Sequence, residues 1–481
     1  MHNLVIREIK KSSHSDNEHA GRKVAVVIDN PLRDLRGLVL LAYQFAKRGA
    51  TVFLVPMYQQ GYDLPLLAPD LVVMNYARES NRSLLESYRT LGFRVAVLDT
   101  EGGVLSECGL DSPTNWANSF RNSGLAALVD DYCFWGEAVQ SAFRLYSGIN
   151  ESGLAVTGCP RYDICNEPWA RLLHYHRNGF VLVNTNFSAI NPAFTRSAED
   201  EQRLFRDQGW DAAYIQELFE ELHEVFPRYL NTIETIARAM PNRVIQVRPH
   251  PFENGALYRK RFANISNVVI DGRGDIFDAI HGADCIVHLN CGSAIDAARM
   301  GKTPISMEFL NTEIMRRHAP LPSRISCHAA NVDDLLDLIN DPSLRAARYD
   351  LSKARHEIEP WYHLSDGKAA QRIAEFLLGR INKMPRRACR SLKAALRGGR
   401  SRPGIRQYLQ GVLGLLIGSR TAAAVAVLLQ RSRRGKVIDP VVVSELILRY
   451  RQLDGGPELQ IRRLRSPIAG QPLSSFIITQ A

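Results

Sequence analysis

The sequence predicts an α/β protein of two doubly wound parallel-sheet domains facing a central cleft, followed by a basic, mainly helical C-terminal extension. Three observations predict it. Short apolar runs rich in β-branched residues alternate with segments apolar at helical spacing, as parallel strands buried on both faces and wound by helices must read. That alternation breaks once, in the first half of the 481 residues, and then resumes. The charge is lopsided: residues 381–481 hold 19 Lys and Arg against 4 Asp and Glu, leaving 41 against 46 in the rest of the chain.

Taken in order, residues 1–20 are polar, carry no apolar stretch of signal-peptide length, and read as a flexible N-terminus. The first domain is assigned to residues 21–170. Lys23–Ile28 (KVAVVI) is its first strand, Leu38–Arg48 its first helix and Thr51–Val55 its second strand. Leu71–Met74, Arg94–Leu98 and Ala127–Phe134 supply further runs. The pattern turns polar around Asp163–Tyr175, where Pro168 interrupts it. The second domain, residues 171–380, restarts with a strand at Gly179–Val183, a long helical region from Glu199 to Met240 and a strand at Arg243–Val247. Val268–Ile270, Cys285–Leu289 and Pro304–Met307 follow as strands, with helices at Asp275–His281 and Ala294–Met300. Ala369–Leu378 closes the domain as an amphipathic helix.

Composition excludes several classes. At 45% hydrophobic and 23% charged residues the chain is neither disordered nor collagen-like. Eight scattered cysteines fit reduced thiols in a cytosol, and the nearest pairs, Cys159/Cys165 and Cys285/Cys291, lack zinc-ribbon spacing. No metal site follows from them, and Asp130-Asp131 before Tyr132 reads as a turn. No window is apolar enough to span a membrane; Gly411–Leu429 comes nearest and Ser419-Arg420 divides it. A cytoplasmic protein is expected. The extension alternates arginines with apolar stretches (Gly411–Ile417, Ala422–Leu429, Val441–Leu448), which fits helices on an anionic membrane surface or on an assembly partner. A solvated helical appendage fits as well. With only Tyr408, Tyr450 and Phe476 as aromatics, it lacks the interleaving of a single-strand binder, and no nucleic-acid partner is expected.

Doubly wound sheets bind ligands at the carboxyl ends of their strands, so the candidate residues are sought there. After Arg243–Val247 comes Arg248-Pro249-His250-Pro251-Phe252-Glu253-Asn254. Prolines on both sides of His250 stiffen it, Arg248 offers a planar fork for phosphate, and Glu253 is placed to orient either or to contact a ribose. After Cys285–Leu289 comes Asn290-Cys291-Gly292-Ser293, where Gly292 permits close backbone approach and Ser293 is a helix N-cap candidate. Asn184, Asn186 and Ser188 follow another strand, either as binders of donor or acceptor hydroxyls or as loop caps. In the first domain, Arg94–Leu98 runs into Asp99-Thr100-Glu101-Gly102-Gly103, a carboxylate pair at a strand tip that suits a general base. Arg161 and Asp163 lie where one domain passes to the next, lining the cleft or pairing at the hinge. His281 and His288 read as core histidines, and Arg196, Arg206 and Arg299 as solvated helix faces.

Five segments, read together, resemble the bacterial surface-polysaccharide biosynthesis proteins of GT-B-like architecture, which pair two Rossmann-like domains. They are Asp99-Thr100-Glu101-Gly102, Thr157-Gly158-Cys159-Pro160-Arg161-Tyr162-Asp163, Leu182-Val183-Asn184-Thr185-Asn186-Phe187-Ser188, Val247–Asn254 and His288–Ala298. The likeness covers about residues 23–381 and leaves the extension unexplained. More distantly, the order of Glu101-Gly102, His250-Pro251 and Ser293 is similar to the motifs of bacterial sialyltransferases and other CMP-sugar transferases. That resemblance implies a carboxylate base at Glu101, and contacts from His250 and Ser293 to the phosphate and nucleotide. Thr100 stands where the family's first acidic residue is found, so Glu101 and Asp99 both remain candidates for the base.

The resemblance therefore implies a glycosyltransferase of surface-polysaccharide biosynthesis, and with no Asp-x-Asp-like motif at a strand end a metal-independent reaction is expected. The enzyme would move a sugar, such as a CMP-activated 3-deoxy-ulosonic acid, from a nucleotide donor to a glycan acceptor, with no cofactor beyond that substrate. His250, Arg248 and the amides near Ser293 would stabilise the charge that builds on the leaving nucleotide. A nucleotide-sugar epimerase of the same architecture and a non-catalytic assembly protein are the alternatives.

Overall fold

The structure, a computed structural model, describes residues 21–99, 112–385, 436–465 and 472–481. They form two compact units, each an α/β sheet wound with helices, which is the fold class expected. Residues 21–99, 127–132 and those described from 370 onward make one unit; residues 112–126 and 133–369 make the other.

In the first unit the strands are β1 (Lys23–Ile28), β2 (Thr51–Pro56), β3 (Leu71–Met74), β4 (Arg94–Val97) and the start of β5 (Asp131–Phe134). Val24–Ile28 are at most 1% exposed, as a strand covered on both faces requires. The first helix, Pro31–Lys47, begins where the Asn30 side chain accepts the Leu32 amide, with Pro31 at its first position. Together with β13 (Leu459–Arg465) and β14 (Pro472–Gln480), these strands run in the order β13-β14-β2-β1-β3-β4-β5; β6 (Leu154–Val156) falls among the residues of the second unit. The strands from β2 to β5 pair in parallel, whereas β14 runs antiparallel to β2, with Ile478 opposite Val52.

The described part of the extension is thus built into the first unit. Its helix Pro440–Asp454 lies on Pro31–Lys47: Tyr450 Oη donates to the Arg36 carbonyl at 2.9 Å and Lys47 pairs with Asp454 at 2.8 Å. Ser475 of β14 donates to buried Asp63 at 2.6 Å. The helix agrees with the helical expectation; the hairpin β13–β14 does not follow from it. Asp130-Asp131 is also not a free turn. Asp131 opens β5 and accepts Arg380 Nε at 2.7 Å, while Asp130 accepts from Arg89 at 2.7 Å and from the Val95 amide. No described helix is long and apolar enough to cross a membrane.

The second unit holds β7 (Phe180–Asn184), β8 (Ile245–Arg248), β9 (Val268–Ile270), β10 (Ala283–His288), β11 (Pro304–Ser306) and β12 (Cys327–His328). Their order, β12-β11-β10-β7-β8-β9, becomes 3-2-1-4-5-6 when counted from β7, so the chain reverses direction across the sheet at β7 and β10. Val181 and Val183 pack toward helix Ala212–Ala239, and Phe180 and Leu182 toward Ala279, Ile280 and Ala297. The expected long helix is two, Ala198–Asp207 and Ala212–Ala239, divided by Gly209 at φ 92° and restarted by Asp211, which caps the Tyr214 amide. His288 is a core histidine as expected, but His281 is exposed. Arg299 is not a solvated helix face: it is buried and donates to the carbonyls of His363 and Leu364, just past the C-terminus of the helix Leu351–Tyr362, where the backbone has no helical partner of its own.

Candidate functional site

The loops after β7, β8 and β10 are joined by buried hydrogen bonds, and Glu253 is the hub. It lies five residues beyond β8 and is 5% exposed. Its Oε1 accepts from Thr185 Oγ1 at 2.8 Å and from the Phe187 amide at 2.7 Å, and its Oε2 accepts from Tyr258 Oη. Burial raises this carboxyl above its ordinary range, opposed by those same hydrogen bonds. Thr185 passes the connection on, since its Oγ1 accepts the His250 amide at 3.1 Å. Glu253 therefore sets the backbone of His250 through Thr185.

His250 is half-buried. Its Nδ1 accepts the Phe252 amide at 3.3 Å, so the neutral ring carries its proton on Nε2, as a donor. Arg248, the last residue of β8, donates to the carbonyls of Arg273 (2.8 Å) and Gly274 (2.5 Å) after β9. Burial lowers its guanidinium below the usual arginine value, with Asp275 opposing. The fork foreseen for phosphate thus has two of its N–H groups on backbone carbonyls. Pro251 is exposed beside His250.

The loop after β10 is held in an uncommon shape. Asn290 has φ 46°, a left-handed conformation that asparagine tolerates better than most residues. Its side-chain amide is paired reciprocally with Asn311 (2.5 and 3.1 Å), and its carbonyl accepts Asn186 Nδ2 at 2.8 Å. This early turn shifts the cap by one residue. Gly292, at φ −56°, takes the cap position and Ser293 is the first residue of the seven-residue helix Ser293–Arg299. Ser293 is therefore not the N-cap; its Oγ donates to Cys291 Sγ at 3.2 Å. Gly292 needs no left-handed freedom. Burial pushes the Cys291 thiol up to about 11, which leaves it a poor nucleophile near neutral pH.

Asn186 is a brace between the β7 and β10 loops, and Ser188 is half-buried in the turn beyond it. Asn184, at the end of β7, is 3% exposed, and neither atom of its amide has a hydrogen-bond partner among the described residues. Its register neighbours are Arg248 on one side and His288 on the other. His288 Nε2 meets Ser326 Oγ at 2.8 Å, and burial lowers this histidine to about 3.

Arg161 and Asp163 do not pair with each other. Arg161 binds Asp296 at 3.0 Å and lies over the Phe277 ring, while Asp163 accepts the Ala369 amide at 2.9 Å. Burial raises the Asp296 carboxyl and the Arg161 charge opposes it. Both residues read as internal braces of the second unit. Of the two candidate bases, Glu101 lies outside the described residues. Asp99 is buried at φ 53° and accepts from Tyr132 Oη at 2.9 Å, so it is not the open carboxylate expected at a strand tip. Among the described residues no group of three or more His, Cys, Asp or Glu is placed to hold a metal ion.

Thr185 and Asn290 stand in the segments quoted above without a role of their own, and Tyr258 and Asn311 lie outside them. An asparagine between a strand and a helix was the available sign for Asn290. Asn311 comes from a distant turn and Tyr258 from the helix Gly255–Arg261 that follows Glu253, and neither gives one.

Matched against protein-family models and curated proteins, the sequence finds no counterpart. Among solved structures it is similar to a UDP-GlcNAc 2-epimerase from Neisseria meningitidis bound to UDP-GlcNAc, at 14% identity and TM-score 0.42, over 74% of this chain and 100% of that one. It is similar to S. aureus MnaA determined with UDP, at 12% identity and TM-score 0.45, over 76% and 98%. It is also similar to the wall teichoic acid polymerase TagF, at 12% identity and TM-score 0.46, over 75% and 89%. Likeness at this level leaves the chemistry to be argued from the residues of this chain.

Proposed function

We propose that the second unit binds a nucleotide-activated sugar at the carboxyl ends of β7, β8 and β10, and that the protein is a glycosyltransferase acting on a glycan acceptor. One observation carries this reading. A histidine clamped between two prolines, with Nδ1 engaged and Nε2 protonated, sits just past β8, the strand next to the β7–β10 reversal, on a frame that fixes its backbone through Thr185 and Glu253. A donor held in that way suits a phosphate whose charge grows as a glycosidic bond breaks. The acceptor proton is assigned to Glu101, because Asp99 is already engaged by Tyr132. No metal or further cofactor is required by this scheme. The donor to test first is a CMP-activated 3-deoxy-ulosonic acid, and the described basic residues of the extension are assigned to the anionic inner face of a membrane.

The test begins with thermal shifts for CMP, CDP, UDP and GDP on the whole chain, since a ligand that binds only the native state raises Tm. At least one nucleotide should stabilise the protein, and His250→Ala should abolish that shift. Turnover of the matching nucleotide sugar should then require an acceptor and fall about 10²-fold or more in Glu101→Gln. Turnover without an acceptor, giving an isomerised nucleotide sugar, would make the protein an epimerase. Undiminished polysaccharide synthesis in both variants would leave it an assembly protein.

A further inference from the structure

Beside His250 the surface turns aromatic. Phe252 is 41% exposed and Phe194 44% exposed, and the two rings meet edge to face, with centroids 5.5 Å apart and planes at 70°. The His250 ring stands 5.4 Å from that of Phe252. Three rings therefore form one row on the second unit, beginning at the proposed phosphate donor.

The row is built rather than incidental. Residues 191–193 run antiparallel to 252–254: the Ala193 amide donates to the Phe252 carbonyl at 2.8 Å, the Asn254 amide to the Asn191 carbonyl at 2.9 Å, and Pro192 is bridged to Glu253. In an extended pairing, neighbouring side chains take opposite faces. Glu253 is turned in to its buried partners, so Phe252 must face out. On the far side Thr195 Oγ1 donates to Glu201 at 2.7 Å and Ser197 caps the helix Ala198–Asp207. Phe194 is thus pinned from both directions. A fixed backbone that leaves two large apolar rings more than 40% exposed forgoes much of the stabilisation their burial would give in the free protein.

The geometry points to an acceptor-glycan subsite: we propose that Phe194 and Phe252 hold a pyranose ring of the acceptor against their faces, one ring away from His250. Two faces at 70° make a corner, which suits a puckered ring that offers C–H bonds in more than one direction. A flat nucleobase stacks best on a single parallel face. Within two residues in the chain, Thr195, Arg196 and Asn254 are polar while Ala193 and the exposed Pro251 are not, a mixture that matches a ligand with both C–H faces and hydroxyls better than a lipid chain. This inference rests on the glycosyltransferase reading for the identity of the sugar as acceptor, but not for the binding itself.

Saturation-transfer NMR on the whole chain tests it, with chitotetraose, cellotetraose, maltotetraose and sialyllactose as glycan probes and CMP and UDP as nucleotide probes. At least one glycan should receive saturation at its ring C–H protons. Phe194→Ala and Phe252→Ala should each weaken that binding about fivefold or more, and Phe252→Trp should retain it. Both positions are exposed, so unchanged thermal melts will verify folding. Absence of glycan binding to the native protein, or binding unaffected by the double alanine variant, overturns the proposal. Loss of CMP or UDP binding in the alanine variants also overturns it, as the rings would then be a nucleobase platform. Glycan binding that depends on the two rings in a protein that binds neither nucleotide would uphold the subsite and count against the glycosyltransferase reading instead.

Discussion

The fourth strand of each sheet in chain order, β4 in the first and β10 in the second when counted from β7, ends in the same way and to different purpose. Beyond β4 the chain reads Val97-Leu98-Asp99, and beyond β10 it reads His288-Leu289-Asn290. Asp99 and Asn290 both lie two residues past the strand, both are about 5% exposed, and both are left-handed, at φ 53° and 46°. Asp99 keeps a carboxylate there, held by the Tyr132 hydroxyl and 4.0 Å from Arg78. Asn290 is neutral and cross-braced to Asn311 and Asn186. The shared backbone device turns the chain sharply off a buried strand. What differs is its load: one end stores charge, while the other fixes the loops that surround His250.

If the bracing of the second unit is as described, the largest loss should come from Glu253→Ala. It removes the partner of three buried donors, each costing about 1–3 kcal/mol when left unpaired, so urea unfolding should show a loss of several kcal/mol. Glu253→Gln, which can keep some of those bonds, should cost less. A milder break is Asn290→Ala, which forfeits the reciprocal amide pair and places alanine in a left-handed conformation, for about 2 kcal/mol. Asn290→Gly should recover the backbone part of that loss and not the rest. At the other strand end, Asp99→Asn keeps the tolerated backbone and an acceptor for Tyr132, and should change stability by less than about 1 kcal/mol. Equal costs at the two ends would erase the distinction.

Acidity sharpens the contrast in another way. His288, fully buried, and His318, half-buried, are neutral, lowered by desolvation from 6.5 to about 3 and about 4. In the unfolded chain they protonate near pH 6.5 while the native state stays unprotonated, so they make stability fall as the pH drops from about 6.5 toward 4. Raised carboxyls such as Glu253 and Asp296 act with the opposite sign, since the native state then holds the extra proton. His288→Asn should therefore flatten the acid limb of a stability–pH curve. The smallest effect on folding belongs to His250→Ala, at about 0.5 kcal/mol or less for a half-exposed ring, although nucleotide binding is expected to vanish.

The parts of the fold that were legible are those set by burial. KVAVVI and VLVN announce strands because both faces are covered, and the alternation with amphipathic helices follows from the same geometry. The hairpin β13–β14 was hidden. LQIRRLR is an edge strand whose arginines read as solvated charge, and its place is decided by β14, which is itself laid on β2, about four hundred residues earlier. In the site, His250 and the asparagines were visible as residue types at strand ends. Their partners were not, because Thr185 to Glu253 and Asn290 to Asn311 are meetings of separate loops. Arg299 was misread for the same reason, since nothing near it in sequence reveals the carbonyls it serves.

The antiparallel strand laid beside β2 also bears on biosynthesis. All six strands of the second sheet have been synthesised once residue 328 is added, whereas the first sheet, begun at residue 23, waits for residues 472–480 to cover its flank. Until then β2 presents open backbone to any passing strand. The half of the protein that is translated first is thus the last to be finished, and a chaperone that guards nascent chains would find its longest task at the N-terminal end.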